Sequence, residues 1–191
     1  MQKLMAPLKF MLLLAFCCSA LLMATRAAIG ERAELSLRSV DALLQIVGSE
    51  TLPVEKLLLE NFNAMFTRRS AGRIKFWQGT ARPELWACEA SGSGMWAEIT
   101  LVFVYDATQK QLLGMRVIDQ NETAGLGGLI VDEAFSDQFI GLSAEKGVMM
   151  SPARVMNNQF DAVSGATTSS RAVEKLINRA LDNLRQVRGR T

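Results

Sequence analysis

The 191-residue chain contains no histidine. That absence removes every Ser-His-Asp and Cys-His nucleophile system, every His-containing zinc site and every His-ligated haem. Cysteine is scarce: Cys17 and Cys18 are adjacent within an apolar run and Cys88 stands alone, so there is no CxxC redox pair, no four-cysteine metal site and no disulfide framework. Any redox chemistry of this chain therefore needs an organic cofactor. A lone Cys88 reads as an ordinary buried residue. Charge is also lacking in either sign: 21 basic and 19 acidic residues give +2 without a long run of one kind, which leaves no electrostatic footprint for nucleic acid. With 49% hydrophobic residues, the length suits one globular domain plus an appendage.

That appendage is N-terminal. Lys3 and Lys9 precede an uncharged run from Phe10 to Ala24, about 22 Å long as a helix at ~1.5 Å per residue. A bilayer core needs roughly 20 residues, which are reached by taking Ala6 to Ala28 with Lys9 and Arg26 snorkelling outward. Two readings stand: a single transmembrane anchor, or a cleavable signal with a site near Thr25-Arg26-Ala27. Phe16 before Cys17 argues against a lipoprotein signal. In both readings the body of the protein is exported and the basic N-terminus stays inside.

Beyond the anchor (1–28), residues 29–72 read as a helical linker region. Leu37, Val40, Leu44 and Val47 follow a helical period that Gly48 closes as a C′ residue. Pro53 then sits near the first turn of a second helix through Leu57, Leu58 and Leu59. Phe66 to Arg73 is polar and reads as a loop or helix end.

From residue 73 onward the period becomes strand-like. Ile74 to Trp77, Leu85 to Glu89, Met95 to Tyr105 and Leu112 to Asp119 are β-branched or aromatic stretches separated by Gly79, Pro83, Ser91-Gly-Ser-Gly94 and Asp106-Ala-Thr-Gln, an expected antiparallel meander. Ile99 to Tyr105 is nearly continuous in apolar character and suits a central strand. The last segment is a long amphipathic helix from about Thr168 to Val187, with Val173, Leu176, Ile177, Ala180, Leu181, Leu184 and Val187 on one face. The expected class is α+β: a mainly antiparallel sheet packed with helices, preceded by a single N-terminal transmembrane helix.

Two glycine-containing loops carry the chemistry. Glu122-Thr-Ala-Gly-Leu-Gly-Gly128 lacks both GxGxxG spacing and a Gly-Lys-Ser/Thr sequence, so it is neither a dinucleotide fingerprint nor a P-loop; by itself it reads as a turn that lets backbone approach a ligand. Asp161-Ala-Val-Ser164-Gly165-Ala166-Thr167-Thr168-Ser169-Ser170 crowds hydroxyls around a glycine just before the long helix. A helix start offers unpaired N–H groups and a positive dipole end, which suit a phosphate. The alternative is an ordinary N-cap with surplus hydroxyls.

Taken in order, the apolar N-terminus, a strand pair introduced by Gly92-Ser-Gly94-Met-Trp96, the Glu122 loop and Ser164-Gly-Ala-Thr167 resemble the FMN-binding domain family, over about Ile74 to Leu184 plus the anchor. Within it the chain is similar to the G subunit of Rnf electron transport complexes, on length and Thr168 to Val173. The alternative is the C subunit of the sodium-translocating NADH:quinone reductase, on GSGMW and GLGG. The resemblance implies that a flavin transferase attaches FMN covalently, through its phosphate, to Thr167. Ser164, Gly165 and Ala166 complete that motif, and Thr168, Ser169, Ser170 and the helix start would bond the phosphate. Asp161 would serve the transferase or bond backbone in the turn.

By the same resemblance Glu122, Thr123, Gly125, Leu126 and Gly127 would line the isoalloxazine ring, and Met95 and Trp96 are either ring contacts or core. Ala124 stands where the family usually has proline, and Gln120 or Asn121 where a histidine is often found. The implied protein is an electron-carrying flavoprotein subunit of an ion-translocating complex, single-pass in a bacterial cytoplasmic membrane with its domain outside, and with other membrane subunits as partners. The alternatives are a stand-alone exported flavoprotein and a non-redox exported module in which SGATTSS is only a helix cap.

Overall fold

The apolar run Ile99 to Tyr105 becomes the middle of the fold. In a computed structural model of the chain, residues 2–29, 35–49, 55–69 and 74–189 are described, with the side chains of the first segment given for residues 10–24. Five strands, β1 (Phe66–Arg68), β2 (Lys75–Gly79), β3 (Leu85–Ser93), β4 (Glu98–Asp106) and β5 (Gln111–Asp119), pair antiparallel in sequence order. This is the expected meander, with β4 flanked on both sides.

Both faces of the sheet are covered, which explains why β4 is apolar throughout rather than alternating. Ile99, Leu101, Phe103 and Tyr105 point to one face, where they pack with Phe76, Trp86, Cys88 and Met115 against the long helix α5 (Thr167–Arg188). Val102 and Val104 point to the other, where Trp77, Leu85 and Ala87 meet α2 (Leu37–Ile46) and α3 (Glu55–Met65) through Val40, Leu43, Leu44 and Phe62. Ser36 caps α2 by accepting from the Ser39 amide, and Gly48 takes φ +77° just past its end. On α5 the buried face comprises Ala172, Val173, Leu176, Ile177, Ala180, Leu181 and Leu184, with Val187 partly covered. The expected α+β class stands.

Three local expectations change. Phe66 to Arg68 is not loop but the edge strand β1, in register with Trp77 to Gly79; three residues are too few for a period to show. Ser91 to Ser93 continues β3 rather than breaking it. A Cβ on Gly92 would fall 2.8 Å from Leu176 Cδ2 and 2.9 Å from an Arg179 guanidinium nitrogen of α5, so the glycine lies under the helix side chains and not in a turn. Conversely, Met95 to Ala97 is the bent tip between β3 and β4 and not part of a strand.

Between β5 and α5 the chain runs through a 3₁₀ turn (Gly127–Val131), the short α4 (Glu133–Ser136), and a two-residue parallel pair, β6 (Met149–Met150) with β7 (Gln159–Phe160). Phe135, Phe139 and Phe160 cluster there, with ring centroids 4.7–5.9 Å apart. The chain divides into two units, residues 1–34 and 35–191. The first contains α1 (Gln2–Ile29), whose side chains from Phe10 to Ala24 are all exposed. Among the described residues no helix is long and apolar enough to cross a membrane. Pro53 and Arg73 lie outside the described residues.

Candidate functional site

The two glycine-containing loops meet. Val163 to Ala166 form a turn closed by the Ala166 amide donating to Val163 O at 2.9 Å, with Gly165 at φ +75°. A Cβ on Gly165 would also lie 3.1 Å from Leu126 Cδ2 in the Glu122 loop, so the two loops approach closely there, while the positive φ is what favours glycine. On the other loop, Thr123 O accepts from the amides of Leu126 and Gly128, a tight turn in which Gly125 supplies φ +73°.

Glu122 ties these pieces together. It is 8% exposed. Its Oε1 accepts from the backbone amides of Met95 and Trp96 at 3.0 Å and Ala97 at 3.3 Å, at the tip between β3 and β4. Its Oε2 accepts from the Ser169 hydroxyl at 2.6 Å, in the first turn of α5. Gly127 leaves room for this arrangement: a Cβ there would lie 2.6 Å from Ser169 Oγ and 3.0 Å from Glu122 Cβ. Burial alone would push the carboxyl up. The Ser169 hydroxyl and the amides of Trp96, Ala97 and Met95 together outweigh it and hold the group below the ordinary carboxylate range.

The hydroxyl run divides by helical phase. Ser169 and Ser170 are buried, the first donating to Glu122 and the second accepting from the Val163 amide at 3.1 Å. They are therefore engaged within the protein and not presented as phosphate donors, contrary to the expectation from their position. Thr167 and Thr168 point outward and are exposed. The N-cap position is Ala166 and no side chain caps the helix; the first helical bond is from Ser170 to Ala166 O. Among the described residues nothing accepts from the amides of Thr167, Thr168 and Ser169. A simple N-cap does not describe this helix start.

The surroundings of that start are apolar and open. Trp96 is 71% exposed, Met95 54% and Leu126 48%, so the first two are not core residues. Thr123, Ala124 and Gly125 are exposed and Gly127 is buried behind them. Asp161 turns to its own backbone, Oδ1 accepting from the Ala162 amide at 2.9 Å, which keeps its charge on the turn. Arg171, one helical turn beyond Thr167, is exposed. A phosphate at Thr167 would meet three free amides, a helix dipole and this guanidinium, and a flat apolar group joined to it would meet Leu126, Met95 and Trp96. These residues fit FMN, although the sequence reading missed the partition of the serines and the clamp role of Glu122. The spacing to Val173 held the first signal: positions 169 and 170 lie four and three residues before it, on the buried face. Nothing local in the sequence announced the second.

Comparison with known proteins agrees with this geometry. Residues 94–182 match the FMN-binding domain, a stretch that runs from the hairpin tip through the Glu122 loop into α5. Over this stretch the chain is similar to the FMN-binding domain family. The G subunit of the ion-translocating oxidoreductase complex of Methanosarcina acetivorans is 38% identical over 71 residues, 37% of this chain and 36% of that protein; the match thus spans about a third of the relative's length. Among solved structures, the C subunit of the Na(+)-translocating NADH-quinone reductase from Parabacteroides distasonis superposes with a TM-score of 0.57 at 19% identity, covering 81% of this chain and 98% of that one. NqrC of Shewanella oneidensis gives 0.62 at 13% identity, with 80% and 98% covered. At those identities the two structures establish the shared fold. The chain is thus similar in sequence to the Methanosarcina protein over 71 residues and in fold to the two solved structures.

Proposed function

We propose that the chain is a flavoprotein electron-transfer subunit that carries FMN covalently through Thr167 and works within a membrane-bound, ion-translocating oxidoreductase complex. The observation that carries this reading is the exposed Thr167 in a first helical turn where, among the described residues, nothing accepts from the amides of Thr167, Thr168 and Ser169. When bound, FMN supplies the redox chemistry. The chain's own residues attach, orient and shield. The free amides and Arg171 neutralise the phosphodiester, Gly165 and Gly125 let the two turns approach it, and Leu126, Met95 and Trp96 offer apolar surface from which water is displaced.

The Methanosarcina relative is a subunit of an ion-translocating complex, and this supports partner subunits; maturation by a flavin transferase belongs to the proposal with the attachment at Thr167. The proposal includes an N-terminal anchor with the domain on the outer side of the membrane; the apolar side chains of α1 exposed from Phe10 to Ala24 are what supports the anchor. The alternative is a role as the C subunit of a sodium-translocating quinone reductase, with the same attachment chemistry; the two structural neighbours support the shared fold alone.

The test is expression of the full chain with a flavin transferase, followed by in-gel flavin fluorescence after denaturation and mass analysis of the Thr167 peptide. The adduct is expected on wild type and absent from Thr167→Ala; a colourless, unmodified wild-type protein overturns the reading. The intact mass also reports whether residues 1–28 are retained as anchor or removed as a signal.

A further inference from the structure

We propose that Glu122 is a positioning residue and not a flavin contact: it holds the 94–97 hairpin tip, and with it the Trp96 indole, as one wall of the flavin seat. This rests on FMN being attached at Thr167. The carboxylate is turned inward and both oxygens are engaged, Oε1 by three amides of the tip and Oε2 by the Ser169 hydroxyl, in a residue 8% exposed. One side chain therefore joins three segments far apart in sequence: the tip, the loop after β5 and the first turn of α5. The glycines on either side are shaped to it. A Cβ on Gly94 would strike Glu122 Oε1, and one on Gly127 would lie 3.1 Å from Oε2.

Within the tip itself only the Gly94 amide, donating to Ala97 O at 2.7 Å, closes the turn; the next three amides depend on the carboxylate. The tip then carries Met95 and Trp96 outward, and the same loop that supplies Glu122 presents Leu126 beside Gly165, two residues before Thr167. The Trp96 amide and the Ser169 hydroxyl are thus separated by no more than one carboxylate and two hydrogen bonds. A ring tethered at Thr167 lies within reach of an indole whose backbone is fixed by Glu122.

The test uses the full chain with Glu122→Ala, Glu122→Gln and Trp96→Ala. In protein prepared without the transferase, Glu122→Ala is expected to speed amide hydrogen exchange at Met95, Trp96 and Ala97 by about tenfold or more, because three donors lose an ionised acceptor. In FMN-loaded protein the folded-state flavin fluorescence is expected to rise severalfold in Glu122→Ala and in Trp96→Ala, with no further rise in the double variant, since both remove the same indole from the ring. Glu122→Gln keeps one oxygen for the amides and an NH₂ for Ser169, and is expected to restore both readouts. Unchanged exchange in Glu122→Ala overturns the clamp. Additive fluorescence gains, or a Glu122→Gln variant that behaves like Glu122→Ala, overturn its action through tip position. If Glu122→Ala does not fold, Gly94→Ala displaces the same oxygen, and unchanged exchange at 95–97 in that variant overturns the proposal equally. Absence of FMN from wild-type Thr167 overturns the attachment and the seat, while the exchange measurement still decides whether Glu122 holds the tip.

Discussion

Replacing Gly127 by alanine puts the packing of the site to a quantitative test. Its φ is one that an L-residue adopts freely, so the perturbation is steric: the new Cβ falls 2.6 Å from Ser169 Oγ, 3.0 Å from Glu122 Cβ and 3.1 Å from Oε2. The Ser169 hydroxyl relieves the clash only by rotating away from Glu122, and at 1% exposure no bulk water replaces the 2.6 Å bond it gives up. Overpacking costs about 1–3 kcal/mol, and a bond to a charged group is worth about 1.5–3 kcal/mol. Relieving the first incurs the second, so the two do not add, and the expected loss is about 2–3 kcal/mol. At ~2–4 °C per kcal/mol for a domain of this size, Tm falls by about 4–12 °C.

Urea unfolding of the full chain, followed by the fluorescence of buried Trp77 and Trp86, measures this loss. Gly125→Ala is the control: nothing lies within 4 Å of its Cβ position but φ is +73°, so it incurs only the left-handed penalty of about 1–2 kcal/mol. In a Ser169→Ala background the effect of Gly127→Ala should shrink to below about 1 kcal/mol. A Gly127→Ala protein within about 0.5 kcal/mol of wild type, or an equal loss in both backgrounds, refutes the reasoning.

Other outcomes follow from the same structure. Because the Glu122 carboxyl is held below its ordinary range, its contribution to stability is complete above the usual glutamate value of about 4.3 and is lost as pH falls through the folded value; urea titrations below pH 5 should therefore show a flatter pH dependence for Glu122→Gln, and identical slopes would exclude the linkage. Phe160→Ala removes the ring that joins Phe135 and Phe139 and should cost about 3–5 kcal/mol in the same assay. Phe62→Ala, in the core on the opposite face of the sheet, should cost a similar amount while leaving attachment at Thr167 intact, as read by in-gel flavin fluorescence. Burial pushes the Cys88 thiol well up, so a thiol reagent should leave it unmodified in the native chain and react on unfolding.

What the sequence made legible follows from period and length. The continuous apolar run of β4 and the seven-position stripe of α5 extend over enough residues for burial to impress a pattern on them, and both appear where the pattern puts them. β1 is three residues long and its pairing partner lies nine to thirteen positions away, so no local signal existed. Gly92 was ambiguous in kind: glycine in a strand and glycine in a turn look alike until Leu176 and Arg179 are seen against it. The same holds for Glu122. A charged residue beside a glycine-rich turn reads as ligand-facing, and only the convergence of amides from residues 95–97 and a hydroxyl from residue 169 shows a carboxylate turned inward.

The hydroxyl run at the start of α5 shows why one threonine among four candidates is singled out. Successive helical residues rotate by about 100°, so once Val173, Leu176 and Ile177 face the sheet, positions 169 and 170 must face it as well, and their hydroxyls have to find partners there; Glu122 and the Val163 amide are those partners. Positions 167 and 168 are left outward by the same rotation. Of these two, Thr167 comes directly after the Ala166 N-cap, where the free amides of the first turn would lie around the phosphate of the proposed attachment. A serine at 169 moved outward would break the clamp, and a threonine at 167 moved inward would meet the packed core. On the proposed attachment at Thr167, the phase of the helix against the sheet decides which hydroxyl is presented, and a one-residue insertion between Ala166 and Ser169 should abolish flavin loading even though every hydroxyl remains.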